Sequence, residues 1–371
     1  MGVAMIWVAV AASLASSWAV ISALSRFLWT PRAITRAFRA QGVGGPDYRF
    51  LVGNIVEMKW LLVESAGLVL DVGCHDYGAL VQPHFRKWMA LYGRTFISWP
   101  GKSPELFMGD VDKVKQVLSD RSGLFPKNPI NDHFARLLGK GLILIDGNEW
   151  KRHRKVVHPV FSVDKLKMLA VTVSDCVGLM LSDWEAKLEK SSGHVEVDIS
   201  CQFEEVAANV ISRVAFGTNH KEAKQVYLAQ KELQFLAFSS LFNVLNLVPG
   251  FSNLELGSIR VPEGTILSTP IKTIHRDKEL WGEDAEEFKP QRFENGVSRA
   301  AKHPYAFLPF SMGPRACIGQ NFTMIEAKVV LAMILQRFSV SLSPKYVHAP
   351  MDVFTIRPRY GLQVVLKSLH V

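Results

Sequence analysis

The first charged residue of this 371-residue chain is Arg26. Everything before it is apolar or small and polar, including Ile6, Trp7, Val8, Leu14, Trp18, Val20, Ile21 and Leu24. About 20 such residues, coiled as a helix, cross the hydrocarbon layer of a bilayer. Arg26, Arg32, Arg36 and Arg39 follow at once, with Trp29 at the boundary. Positive charge flanking a span marks the cytosolic side, and Trp favours the interface. Residues 1–29 therefore read as a membrane anchor, and residues 30–371 as a body on the cytosolic side. The rival is a cleaved signal peptide, which places charge before its apolar core and small residues after it. A small-residue stretch, Ala11 to Ser17, is present, but no Lys or Arg precedes the core. That charge layout favours the anchor. Gly42-Val43-Gly44-Gly45-Pro46 comes next and predicts an elbow between anchor and body, because Gly and Pro together make a poor helix.

The body has a globular composition, with 48% hydrophobic and 21% charged residues over the chain, too apolar for a disordered one. The net charge of +9 suits an anionic partner: an acidic protein, an anionic bilayer or nucleic acid. Lys and Arg form no run with interleaved aromatics, so nucleic acid is set aside. Thr95-Phe96-Ile97-Ser98-Trp99 and Glu105-Leu106-Phe107-Met108, split by Pro100 to Pro104, predict two strands and a turn. Val111, Val114, Val117 and Leu118 share one helical face. From Asp164, a helical period runs through Leu166, Leu169, Val173, Val177, Met180, Leu181, Trp184 and Leu188. Val206, Val210 and Val214 mark a further helix ending near Gly217. Ile259 to Ile266, with Pro262-Glu263-Gly264 inside, reads as a short strand pair, and Phe354 to Leu366 as extended chain. Ile318 to Phe338 is helical, with Phe322, Ile325, Val329 and Met333 on one stripe. The fold class is mainly α with small β-sheets, in one domain.

Four cysteines are present, Cys74, Cys176, Cys201 and Cys317, and none forms a CxxC pair. That leaves no zinc or thioredoxin-like pattern, and four thiols in so long a chain make no disulfide framework. One of them stands in a distinctive setting: Phe310-Ser311-Met312-Gly313-Pro314-Arg315-Ala316-Cys317-Ile318-Gly319. This fits F-x-x-G-x-R-x-C-x-G and resembles the cysteine-ligand loop of cytochromes P450. Five fixed positions arise by chance in on the order of one in 10⁴ chains of this length. Gly147-Asn148-Glu149-Trp150-Lys151-Arg152-His153-Arg154 holds a Trp-x-x-x-Arg pair on one helical face. With His158-Pro159-Val160-Phe161 behind it, it resembles the family's helix C. His275-Arg276-Asp277 through to Pro290-Gln291-Arg292-Phe293 resembles the run that leads to the family's P-x-R-F element. The wording of Ile318 to Phe322 and of Pro46 to Phe50 is similar to plant enzymes of the 72 clan, most of all to family 709.

The resemblance implies a P450 fold and a haem-thiolate monooxygenase. Such an enzyme puts one oxygen atom from O2 into a small lipophilic substrate. NADPH-derived electrons reach it through an FAD/FMN reductase, at the endoplasmic reticulum membrane. By the same resemblance Cys317 is the thiolate ligand of haem b iron, which donates electron density and favours O–O cleavage. The helix after Cys317 would stabilise the thiolate with its N-terminal amides. Gly313 and Gly319 would admit the porphyrin, Arg315, Trp150 and Arg154 would meet its propionates, and Phe310 would shield the sulfur. Lys151, Arg152 and Arg315 would be docking charges for the acidic reductase.

Two family elements are missing from the sequence. No Glu-x-x-Arg is available to pair with Arg292, and no Ala/Gly-Gly-x-x-Thr supplies the distal oxygen-handling helix. Val248 to Asn253 resembles the end of helix F, yet Leu254 to Ile259 resembles a strand beyond helix K. Several helices are skipped between them, a gap of roughly 100–150 residues at typical element lengths. The chain is therefore expected to lack its distal wall and to leave apolar faces open. Arg292 should turn to solvent or find another acid, such as Glu294 or Asp277. The alternatives are an active monooxygenase, an inactive incomplete one, or a membrane-anchored haem-binding or interaction protein that keeps the scaffold. The loop Asn128 to Leu138 and the turn near Phe354 are candidate pocket edges.

Overall fold

A computed structural model describes residues 2–127, 139–191, 193–216, 225–230, 232–233, 254–353 and 355–369. The expected pocket edges at Asn128 to Leu138 and at Phe354, the run Val248 to Asn253, and Gly217 lie outside these residues.

Helix α1 (Gly2–Leu24) passes through a π-turn (Ser25–Trp29) straight into α2 (Thr30–Arg39). The apolar side chains of α1 from Ile6 to Ile21 lie exposed, whereas α2 buries Pro31, Ile34 and Phe38. Spacings of three and four put those three on one helical face, and Arg32, Arg36 and Arg39 stay outside. The body therefore takes hold of the chain within α2, ahead of the predicted elbow. The elbow itself is a seam: Ile97 N donates to Gly44 O at 2.9 Å. A Cβ on Gly45 would stand 1.9 Å from the Ile97 carbonyl oxygen, so only glycine permits that approach.

Two cores follow. The first surrounds a three-stranded sheet in which β1 (Thr95–Ser98) and β2 (Glu105–Met108) form the predicted hairpin. A later strand, β6 (Ile266–Ser268), joins β2 in parallel. Ile34, Phe38, Ile97, Trp99, Leu106 and Met108 are buried together here. The helix α6 (Val111–Leu118) adds Val111 and Val114 and is capped by Asp110, which accepts from the amides of Asp112 and Lys113. Before it, α3 (Ile55–Ser65), α4 (Gly78–Val81) and α5 (Pro83–Tyr92) flank the sheet, with Trp88 of α5 buried on Phe96 and Phe107. The second core lies under the long predicted helix, α8 (Val163–Glu189), preceded by α7 (Gly147–Val157). Its stripe of Val173, Val177, Leu181 and Trp184 is fully buried. It packs on α9 (Ile199–Phe216), α12 (Gln320–Leu335) and the antiparallel sheet β3-β10-β7 (Val195–Asp198, Gln363–Ser368, Phe338–Leu342). Helix α12 is shorter than the sequence pattern predicts, because Phe338 is the buried first residue of β7. The remaining elements are the short helices α10 (Ile271–Ile274) and α11 (Lys278–Trp281) and an antiparallel pair, β8 (Pro350–Val353) with β9 (Thr355–Pro358).

One predicted pairing is wrong. The strands on either side of Pro262-Glu263-Gly264 do not pair with each other. β5 (Ile259–Val261) pairs backwards with β4 (Leu254–Leu256), while the strand after the turn is β6 of the first core. The turn carries the chain from one sheet to another.

Arg292 finds another acid, though neither of the two named as examples. Its side chain is 12% exposed and its Nη1 donates to Asp284 Oδ1 at 2.8 Å and to the Trp281 carbonyl at 3.0 Å. The acid is Asp284, not Glu294 or Asp277. Asp277 is already engaged: it accepts from the Glu279 amide to cap α11 and pairs with Arg94 at 2.5 Å. Gly282, at φ +94°, reverses the chain so that Asp284 returns to Arg292. Hydrogen bonds from Lys289 and Arg292 hold the Asp284 carboxyl down at about 2, against 3.8 ordinarily.

A carboxyl depressed on folding stabilises above its unfolded pKa, and the effect fades as pH falls through the folded value. Asp284 should thus contribute fully at neutral pH and lose its contribution as pH falls from 3.8 to about 2. Asp284→Asn should lower the melting temperature at pH 7 and flatten the pH profile in that window, as read by thermal unfolding at a series of pH values. In the second core, Trp184 is fully buried against Phe338 at 5.7 Å, and its indole N–H has no acceptor. Trp184→Ala should cost about 3–5 kcal/mol in denaturant unfolding. Trp184→Phe should cost much less, because it also removes an unsatisfied buried donor.

Candidate functional site

The cysteine loop is shaped by its glycine and by backbone bonds. Ser311 and Gly313 take positive φ, +59° and +71°. Gly313 lies against the end of α6, where a Cβ would come 2.1 Å from the Leu118 carbonyl oxygen. A 3-10 turn (Gly313–Arg315) follows, and the Ala316 amide closes onto Gly313 O at 3.1 Å. The Cys317 amide donates to Phe310 O at 2.9 Å, so the two ends of the motif are tied side by side. Cys317 is exposed and stands three residues ahead of α12, whose first full turn opens on Gly319. The helix thus begins two residues later than the sequence pattern predicts. Gly319 leaves room between the Cys317 sulfur and the Phe161 ring, each just under 4 Å from where its Cβ would be.

Helix α7 brings the second motif to the same place. Asp146 caps it, accepting from the Gly147 amide. Arg154 Nη1 donates to the Ala316 carbonyl at 3.0 Å, next to the cysteine. The Trp150 ring is flanked by two guanidinium groups, Arg315 at 4.6 Å and Arg154 at 5.9 Å. Such cation–π contacts are worth about 0.5–1 kcal/mol each where partly exposed. Arg315 points inward: it pairs with Asp146 and donates to the Ile145 carbonyl at 3.0 Å. Trp150, Arg154, Gly313, Arg315, Cys317 and Gly319 are therefore gathered at one point, from segments about 160 residues apart in the chain. Phe310 is brought there by its backbone.

Two participants have no motif of their own. Lys127 donates through its amide to Asp146 Oδ2 at 2.6 Å and through its ammonium to the Ile143 carbonyl. Burial, with the adjacent Arg315 charge, brings the Lys127 ammonium down to about 8. Lys127 and Arg315 line a cleft of about 460 Å³ with Leu118, Phe125, Leu254 and Leu267. The one signal for Asp146 in the sequence is an acidic residue directly ahead of the Trp-x-x-x-Arg helix, where a cap would stand. Lys127 carried no signal, since one lysine in a Pro-flanked segment reads as solvated chain.

On the far side of the loop the apolar surface is open. Met324, Leu331 and Leu335 on α12, Leu179 on α8 and Ile211 on α9 are all at least 43% exposed. These helices pack on one another through other residues, so the outward faces are left without a cover among the described residues.

The family model described as Cytochrome P450 matches residues 72–258 and 250–364, two stretches that meet between 250 and 258. Cytochrome P450 709B1 of Arabidopsis thaliana is 30% identical over 94% of this chain and 96% of its own length. Cytochrome P450 709B3 of the same plant is 29% identical over the same shares. Secologanin synthase 1 of Catharanthus roseus is 26% identical over 96% of each. The first of these alignments extends over 498 positions while using 94% of 371 residues, so about 150 positions have no counterpart here. With a family model matched along most of its length and relatives of this reach, the chain belongs to the cytochrome P450 family, among plant members and most like the 709 group.

Proposed function

We propose that this chain is a haem-thiolate monooxygenase scaffold with its proximal half intact and its distal half missing. The observation that carries the reading is the exposed Cys317 loop, held by Arg154 at Ala316 and packed through Arg315 on Trp150. The residues suit haem b. Lys127 and Arg315 line one cleft, where burial, with the Arg315 charge beside it, brings the Lys127 ammonium down, and an anionic group placed there would favour its charged form. Cys317 would hold the iron, Gly313 and Gly319 would let the macrocycle approach, and Arg315, Trp150 and Arg154 would meet its propionates. Phe310 would keep water from the sulfur. When bound, the haem supplies the activation of O2 for insertion of one oxygen atom into a small lipophilic substrate.

Electrons from NADPH would arrive through an FAD/FMN reductase, and exposed Lys151 and Arg152 on α7 are the charges offered to it. Arg315 is committed inward to Asp146, which argues against it as a docking charge. The apolar α1 and the arginines after it support a single-pass anchor in the endoplasmic reticulum membrane over residues 1–29, with the body, 30–371, cytosolic.

The missing half is read from three features. The family match falls into two stretches that meet beside Asn253–Leu254, and about 150 aligned positions lack a counterpart. Arg292 is paired with Asp284, a local acid, and not with a glutamate of a Glu-x-x-Arg helix. The apolar faces of α8, α9 and α12 lie open. These support an internal deletion near 253/254 that takes the distal helix with it. Among the described residues no wall stands on that face to exclude water or deliver protons, so coupled turnover is expected to fail. No distal catalytic residue is assigned. The open faces favour, as a second reading, a membrane-anchored haem-binding or interaction protein.

Cys317→Ala should abolish the thiolate-type Soret band of the reduced, carbon-monoxide-bound protein, while changes at Cys74, Cys176 and Cys201 should leave it. Loss of the band on changing Cys201 alone would overturn the ligand assignment. Inserting the corresponding segment of the similar 709B1 protein between Asn253 and Leu254 should raise haem content per polypeptide and bring NADPH-dependent oxidation with it. Equal haem content and equal turnover in the short form would show that the chain is complete as it stands.

A further inference from the structure

Asp146 belongs to no motif, yet donors from three parts of the chain converge on its carboxylate. The Gly147 amide, at the start of α7, donates to Oδ1 at 2.7 Å. The Lys127 amide donates to Oδ2 at 2.6 Å, and the Arg315 guanidinium of the cysteine loop pairs with Oδ1. Capping a helix asks for less. Asp110 caps α6 and pairs with Lys113, all within three residues. Asp146 instead reaches back 19 residues to Lys127, and forward to Arg315, which the neighbouring Ile145 carbonyl meets across 170.

These contacts fix the direction of Arg315. A guanidinium carries five N–H donors in one plane. Its Nη1 donates to the Ile145 carbonyl at 3.0 Å, its Nη2 is taken by Asp146, and Trp150 covers its face at 4.6 Å. The other N–H groups have no partner among the described residues, and Arg315 lines the cleft of about 460 Å³. Lys127 lines the same cleft, with its backbone held by Asp146 and its ammonium on the Ile143 carbonyl. Asp146 has no place in the cleft wall, so it acts on both cations from behind. The acid that does line the cleft among the described residues, Asp120, is engaged by the Ser122 hydroxyl and by the amides of Ser122, Gly123 and Phe125. The cleft thus presents two cations whose anchoring carboxylate stands outside it.

We propose that Asp146 is a positioning residue that matches this site to a dicarboxylate. It sets Arg315 through its side chain and Lys127 through its backbone, so that two carboxylates of one ligand meet two cations on one wall. This rests on the reading of the cysteine loop as a haem-thiolate site, to which haem b brings two propionates. An arginine already held at two nitrogens loses little further freedom when it takes a carboxylate, so more of each contact appears as affinity. Selectivity for the free acid over its uncharged ester then depends on a residue that lines no part of the cleft.

The test titrates the full chain, in detergent micelles, with ferric haem b and with its dimethyl ester, followed by the Soret band. The ester keeps the iron and the macrocycle but carries no carboxylate charge, so the ratio of the two affinities isolates the work of the cations. Asn caps a helix as well as Asp does, so Asp146→Asn keeps α7 and removes the charge. This variant should lower the preference for the free acid about fivefold, the size of one partly exposed charge-assisted contact, and leave the affinity for the ester unchanged. Asp110→Asn, the same change at a cap outside the cleft wall, should leave the preference where it is. An unchanged preference in Asp146→Asn, or haem and ester weakened alike, would overturn the positioning role, and so would an equal fall in Asp110→Asn. Equal binding of haem and ester by the unaltered chain would overturn it too. Failure of the unaltered chain to give a thiolate-type spectrum with either compound would instead sink the haem reading on which the proposal rests.

Discussion

Helix α7 and the cysteine loop are held together by one small constellation, and the candidate site stands or falls with it. Arg154 bonds the Ala316 carbonyl one residue from Cys317, and Trp150 packs between Arg154 and Arg315. Asp146 caps the helix and at the same time accepts from Lys127 and pairs with Arg315. One carboxylate thus pairs with the partly buried Arg315, holds the Lys127 backbone and fixes the start of the helix that carries the tryptophan. Removing one partner of such a cluster leaves a half-buried charge unpaired, which costs more than the bond it made. None of these contacts uses a residue from the region of the Asn253–Leu254 junction, so the loop keeps its shape on its own.

The two cores explain why a chain short of about 150 aligned positions still closes around both ends of the site. The first is built on the β1-β2-β6 sheet, the second on α8, α9 and α12 with the β3-β10-β7 sheet. Each contains both early and late segments of the chain. Leu106 packs with Leu256 and Leu308 in one, and Val177 with Val330 and Leu366 in the other. The cysteine loop bridges them, with Gly313 against the end of α6 and Gly319 opening α12. What is exposed is cover rather than core: Leu179, Leu331 and Leu335 point away from the buried stripes of their own helices.

Helix periods and the motif were legible because they depend on neighbours close in sequence. The α8 stripe from Leu166 to Leu188, the β1–β2 hairpin and the apolar face of α6 could be read directly, since side-chain period and turn residues fix them locally. The cysteine loop was legible for the same reason: its glycines and arginine act within ten residues. Charge order around Arg26 likewise set the anchor expectation, although where the body begins to grip, at Pro31, Ile34 and Phe38, is a matter of packing.

Tertiary structure decided what depends on competition between distant groups. Arg292 took Asp284 because Asp277 was already held by Arg94 and by the Glu279 amide, and no spacing rule records that contest. The strands beside Pro262-Glu263-Gly264 parted because β2 offered a free edge to β6, while β4 offered one to β5. Lys127 joined the site only because folding brings its segment under Arg315, where burial changes its charge balance. Local patterns are written in the chain because backbone geometry enforces them over a few residues. Pairings between charges and between strand edges go to whichever partner the packed cores leave within reach.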